Sequence, residues 1–145
     1  MTYADTSFLV SLYTTDGNSV AASEHARLVE PPFPLTPFSR LELTNAIHLR
    51  CFRGEYNLPE AAADLDSVVA DLASGALATL PTPVAMFQRA ESLAHKYTAR
   101  LGVRSLDILH VAAALELEVE AFLTFDRRQA KLARAEGLPT PVRIR

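Results

Sequence analysis

The stretch Arg104-Ser105-Leu106-Asp107-Ile108-Leu109-His110-Val111-Ala112-Ala113-Ala114 constrains this chain more than any other. Leu106, Ile108, Leu109, Val111, Ala112, Ala113 and Leu115 surround a helix on every side, which predicts that it lies inside the protein with no wet face. Yet Asp107 falls in its first turn, and His110 follows one turn later on the same side. A buried carboxylate costs several kcal/mol unless something compensates it. The remaining sequence offers no cation at a matching position. It offers further carboxylates, at Asp5, Glu42 and Asp126.

The chain has 145 residues, enough for one domain with a sizeable core, so residues 1–145 are expected to form a single domain. At 49% hydrophobic and 21% charged it has a globular balance, which argues against disorder. A net charge of -3 excludes gripping nucleic acid by overall basicity and leaves only a local patch for that purpose. Cys51 is the one cysteine, so there is neither an intrachain disulfide nor a thiolate zinc site. Met1 to Asp5 lack the layout of a secretory signal, and no apolar run approaches the ~20 residues that span a bilayer. The expectation is a cytoplasmic protein with no membrane partner.

Breakers and periodicity set the expected elements. Tyr3-Ala4-Asp5 reads as the end of a first strand, and Thr6 or Ser7 caps a helix carrying Phe8, Leu9, Val10 and Leu12. A second helix is expected over 19–29. Leu35-Thr36 reads as a brief strand limited by Pro37. A long helix then begins at Ser39 and ends at Gly54. Pro59 opens a helix that Gly75 closes, and residues 76–80 read as a strand. Thr82-Pro83 opens a helix that stops at Gly102, and the apolar helix runs from Ser105 to about Leu117. Residues 121–125 are apolar on both faces and are expected to be central in a sheet. Asp126 caps a helix that Gly137 ends, and residues 142–144 read as a last edge strand. Strands alternating with helices imply the α/β class, with a central parallel sheet and helices on both faces.

This order gives the four acids a common place. Asp5 and Asp126 each follow a strand, while Glu42 and Asp107 each lie in the first turn of a helix. In an open parallel sheet, strand C-termini and helix N-termini share one rim, where ligands bind. Helix dipoles there favour negative charge by only ~0.3–1 kcal/mol each. Two carboxylates about 4 Å apart repel by about 4 kcal/mol at an effective dielectric near 20. Repulsion wins, so the cluster takes up protons or a divalent cation. All-oxygen donors suit Mg²⁺ or Mn²⁺ better than Zn²⁺.

Each acid also has a plainer explanation. Ser39 with Glu42 fits a capping box, Asp126 fits an N-cap before Arg127, and Asp5 can cap the first helix. Asp107 resists such an account because its helix is so apolar. Around the acids, Asn45 lies one turn after Glu42 and is a candidate to orient it or to hold a metal-bound water. His110 is a candidate donor to Asp107, or else a satisfied core histidine. Thr6, Ser7 and Thr124 are candidate hydrogen-bond donors to the carboxylates, or caps and strand residues. Arg127, Lys131 and Arg134 share one side of the last helix, commonly just a solvated face. Arg104, beside the rim, is the better candidate for a phosphate.

The ordered set resembles the PIN-domain nucleases, in particular the VapC-type toxins of bacterial and archaeal toxin–antitoxin pairs. Tyr3-Ala4-Asp5-Thr6-Ser7 is similar to the family's opening strand and first acid, and Leu41-Glu42-Leu43-Thr44-Asn45-Ala46 to its second-acid helix. Arg53-Gly54-Glu55 before Pro59-Glu60-Ala61 resembles its turn between two helices. Leu106 to Ala114 resembles its most recognisable motif, and Leu123-Thr124-Phe125-Asp126 its last acid. Glu118 departs from the pattern, standing where many relatives turn on a glycine. The resemblance implies a Mg²⁺- or Mn²⁺-dependent endoribonuclease in which Asp5, Glu42, Asp107 and Asp126 hold one or two ions and act through them. It also implies an RNA substrate, a homodimer, and an antitoxin whose C-terminal segment blocks the acidic groove.

Two other readings compete. A non-catalytic PIN-like module that binds RNA or a protein predicts the loss of one or more acids, and none is missing. A phosphotransfer domain is disfavoured: an aspartyl phosphatase wants a second aspartate where Ser7 stands, and a receiver wants a lysine where Arg127 follows Asp126.

Overall fold

The computed structural model describes residues 1–144. In chain order it contains β1 (Thr2–Ala4), α1 (Thr6–Tyr13), α2 (Ser19–Ala26), β2 (Phe33–Leu35), α3 (Pro37–Phe52) and α4 (Leu58–Ser74). Then come β3 (Leu77–Thr79), α5 (Met86–Leu101), α6 (Ser105–Glu116), β4 (Ala121–Leu123) and α7 (Arg127–Ala135).

All strand pairing is parallel. β1 pairs with β4, with Tyr3 opposite Phe122, and β2 pairs with β3, with Pro34 opposite Ala78. β1 runs beside β2. The strands are short, and alternation along them splits the core in two. Tyr3 and Phe122 stack at 5.5 Å on the side covered by α5, α6 and α7. Ala4 and Leu123 face Phe8, Leu9, Leu43 and Ile47 on the other side. The expected α/β layering is present, with helices on both faces of parallel strands.

Several expectations change in detail. β4 hydrogen-bonds only β1 as a strand, so it is not central; its other edge is met by an irregular segment, where Phe122 N donates to Pro139 O at 2.9 Å. Residues 142–144 form no strand, although Val142 is buried in the core. The first helix is capped by Asp5 and not by Thr6 or Ser7. α5 starts at Met86 rather than at Pro83. α3 starts earlier than Ser39, because Pro37 suits its first position and the Thr36 hydroxyl accepts from Ser39 N. That shift puts Glu42 in the second turn and removes the capping-box explanation for it. α6 is buried along most of its length, but Leu106 is 49% exposed, so the helix does keep a wet edge at its start.

Among the described residues, no helix is long and apolar enough to cross a membrane.

Candidate active site

Because β1 and β4 are parallel, the residues that follow them emerge at the same edge. Asp5 N continues the ladder with a bond to Leu123 O at 3.0 Å, which fixes the height of its side chain beside Thr124. Asp5 is fully buried. Its carboxylate accepts from Ser7 Oγ at 2.8 and 2.9 Å, from Phe8 N at 2.9 Å and from Thr124 Oγ1 at 2.7 Å. Burial nevertheless pushes this carboxyl up to about 6, against the lowering by His110 and by those donors. The carboxylate is therefore solvated by dipoles and still short of positive charge.

Thr124 ties the first acid to the fourth. Its hydroxyl donates to Asp5 and accepts from Asp126 N at 2.9 Å. Ser7 reinforces the link by accepting from Phe125 N at 2.9 Å. Asp126 caps α7, with Oδ1 receiving Arg128 N at 2.6 Å and Gln129 N at 3.0 Å. Gln129 then joins the fourth acid to the third, since its Nε2 donates to Asp107 Oδ1 at 3.4 Å. Asp107 is buried in the first turn of α6, and its Oδ2 accepts from Arg104 N at 2.9 Å. Asp5, Thr124, Asp126, Gln129 and Asp107 thus form one continuous chain of contacts.

Glu42 approaches from α3. Its Oε2 accepts from the Thr6 hydroxyl and meets Nε2 of His110. Burial pushes the Glu42 carboxyl up, but the His110 hydrogen bond and charge, with the Thr6 hydroxyl, outweigh it and leave the group below its ordinary value. His110 is fully buried, with Nδ1 held at 2.9 Å by Tyr3 Oη, which also meets Ser39 Oγ at 3.0 Å. The donor role expected for His110 is present, but it serves Glu42 rather than Asp107. Thr6 and Thr124 hold carboxylates as expected. Asn45 is exposed and contributes to none of the bonds that fix Glu42, and Arg104 reaches Asp107 through its backbone.

Three participants were missed. Tyr3 could be found from β alternation, since it stands two residues before Asp5 on the same face. Ser39 follows once Thr36 is taken as the cap. Gln129 lies three residues after Asp126, one helical turn on, and is only 6% exposed.

The donor set suits a hard divalent cation in kind, being all oxygen, with Asp5 lacking countercharge and Gln129 Oε1 buried without a partner. In this arrangement the carboxylates are engaged by protein donors. Among the described residues, no three Asp, Glu, His or Cys side chains are close enough to share one ion. Gathering several around an ion requires side-chain rotation, for which half-buried Glu42 and Asp126 have room.

Parallel strands, helices on both faces and acids at the strand ends place the chain among α/β proteins whose ligand site lies at that rim. Residues 2–135 match the PIN domain, and the chain belongs to that family. The fold is also similar to the crystal structure of VapC20 from Mycobacterium tuberculosis, described as a toxin that cleaves the sarcin–ricin loop. That similarity has a TM-score of 0.70 at 16% identity, covering 90% of this chain and 94% of the other. No curated protein matches the chain.

Proposed function

We propose that the protein is a Mg²⁺- or Mn²⁺-dependent endoribonuclease and the toxin of a toxin–antitoxin pair, with Asp5, Glu42, Asp107 and Asp126 as its metal-holding acids. The observation that carries this reading is the continuous chain linking Asp5, Asp126 and Asp107 through Thr124 and Gln129 at one edge of the strands. A divalent ion there would be held by Asp5, Glu42, Asp107 and Asp126 and would supply charge neutralisation and activation of water for hydrolysis of a backbone phosphodiester. The chain's own residues hold the geometry. Ser7 and Thr124 fix Asp5, while Thr6 and His110 fix Glu42.

RNA also needs a cationic track, since phosphate contacts dominate nucleic-acid affinity. Arg127, Lys131, Arg134 and Arg143 line one groove beside α7, the helix that Asp126 caps. That local patch answers the overall net charge of -3. The likeness in fold to a toxin that cleaves the sarcin–ricin loop supports an RNA substrate, and the proposal extends to an antitoxin partner and a place in the cytoplasm. A homodimer belongs to the same proposal.

Purified protein is expected to cleave RNA when Mg²⁺ or Mn²⁺ is supplied and to stop on addition of EDTA. Asp107→Asn is expected to abolish cleavage, and cleavage that survives it overturns the site. One observation favours the non-catalytic alternative: every candidate carboxylate already has protein donors. RNA binding without cleavage under any divalent ion would select that reading. Induction in cells separates toxin from housekeeping nuclease, with growth arrest expected for the wild type and relieved by Asp5→Asn.

A further inference from the structure

Gln129 combines two properties that a packed polar residue does not normally have together. It is only 6% exposed, and its Oε1 is the one buried side-chain oxygen or nitrogen without a hydrogen-bond partner among the described residues. Buried polar groups are nearly always satisfied, so an unmatched acceptor calls for an explanation. The amide cannot simply be turned over. Its Nε2 donates to Asp107 Oδ1 at 3.4 Å, and reversal would set an amide oxygen against a carboxylate oxygen.

The donors of its own helical turn are also engaged. Arg128 N and Gln129 N both point at Asp126 Oδ1, and Ala130 N at Asp126 O. Gln129 therefore bonds one site carboxylate with its backbone and another with its side chain. Its unmatched oxygen belongs to the group that joins them. A neutral oxygen in that position adds a hard donor without adding a fifth repelling charge. Amide carbonyls serve divalent ions in this way, either directly or through a water of the hydration shell.

Building on the proposed divalent-ion site, we infer that Gln129 Oε1 is a further oxygen donor to the ion held between Asp107 and Asp126. Nε2 sets the orientation of Asp107 in the same act. Gln129, built into the first turn of α7, thus serves the ion through Oε1 and orients Asp107 through Nε2.

The test is Mn²⁺ binding by the full chain, read from the electron paramagnetic resonance signal of free Mn²⁺, with no RNA present. Gln129→Met keeps the side-chain volume and removes both amide functions. It is expected to weaken Mn²⁺ binding by about ten- to a hundredfold, the usual effect of losing a partner to a metal site. Gln129→Glu restores an oxygen and is expected to recover Mn²⁺ affinity to the wild-type level or above it. A residue that only packs would do neither, and the added charge beside Asp107 would then lower stability without tightening the ion. Circular dichroism confirms that each variant is folded. If Gln129→Met fails to fold, Gln129→Glu decides the matter by itself, and unimproved or weakened binding overturns the inference. Binding that Asp107→Asn abolishes but Gln129→Met leaves unchanged overturns the role of Gln129 alone. Wild-type protein that binds no Mn²⁺ overturns the acidic site along with it.

Discussion

Tyr3 Oη lies 2.9 Å from Nδ1 of His110, and both side chains are fully buried. A carboxylate can only accept, so Nε2 of His110 carries the proton that faces Glu42. Tyr3 Oη is the polar partner of the other ring nitrogen and fixes the plane of the imidazole. Burial raises the phenol's pKa far above neutrality and keeps Tyr3 protonated. Tyr3 also meets Ser39 Oγ at 3.0 Å. A single hydrogen-bonded order runs from Ser39 through Tyr3 and His110 to Glu42.

Tyr3→Phe breaks this order in the middle. It keeps the ring stacked on Phe122 but leaves His110 Nδ1 without its partner in a site closed to water. The expected loss is about 1–3 kcal/mol of stability, the usual penalty for an unpaired buried polar group. A urea unfolding curve reads it as a lower midpoint with an unchanged slope. RNA cleavage should also fall, because the imidazole that holds Glu42 loses its fixed orientation. Wild-type stability in Tyr3→Phe would show that the phenol contributes nothing beyond its ring.

Asp5 makes the metal-free fold sensitive to pH in an unusual direction. Burial raises its carboxyl to about 6 from an unfolded value of 3.8. Between those values the folded protein holds a proton that the unfolded chain releases, so stability falls as pH rises. The contribution is fully present below about pH 4 and is lost on passing about pH 6. Each tenfold difference in proton affinity between folded and unfolded chain is worth about 1.4 kcal/mol, which brings the whole effect to about 3 kcal/mol. Glu42, whose carboxyl is lowered, runs the other way. The difference between wild type and Asp5→Asn isolates the first effect. In EDTA, denaturant titrations across pH 4 to 7 should show a stability advantage for Asp5→Asn that grows with pH. Mg²⁺ at neutral pH should stabilise the wild type more than the variant, since it binds the folded carboxylate.

Glu118 takes a backbone conformation that favours glycine. It is the one non-glycine residue with positive φ among the described residues, at 52°. The end of α6 closes with Val119 N bonded to Ala114 O at 3.2 Å and Glu118 N bonded to Leu115 O at 3.1 Å. This double closure requires a left-handed residue at Glu118. A side chain there costs roughly 1–2 kcal/mol, of which the greater unfolded freedom of glycine takes back about 0.5–1 kcal/mol. Glu118→Gly is therefore expected to raise stability by up to about 1 kcal/mol in thermal or urea unfolding. RNA cleavage should be unaffected, because Glu118 lies at the far end of α6 from Asp107.

The same contrast between local and distant constraints decides what could be read beforehand. Asp107 and Asp126 were legible because caps and apolar periodicity are properties of neighbouring residues. The start of α3 is ambiguous in the sequence because Ser39 also suits a cap, whereas in the fold Thr36 with Pro37 behind it takes that place. Glu42 therefore lies in the second turn and not the first. Asp107, three residues away on its own helix, is the local candidate partner for His110, while the actual partner Glu42 is 68 residues distant. Nothing local encodes that pairing; it follows from α3 and α6 flanking the same end of β1. Gln129 escaped notice because a glutamine in an otherwise basic helix looks solvated, and only packing shows it buried.

Asp126 carries two roles that substitution can separate. Its Oδ1 caps α7 by accepting from Arg128 N and Gln129 N. Its charge is the part proposed to serve the ion. Asp126→Ala removes both and should cost about 1 kcal/mol of stability from the lost cap. Asp126→Ser restores an acceptor of nearly equal capping strength but no charge. Stability should therefore recover in Asp126→Ser, while Mn²⁺ affinity and RNA cleavage stay as low as in Asp126→Ala. If cleavage returns together with the cap, the carboxylate serves α7 alone, and the site rests on Asp5, Glu42 and Asp107.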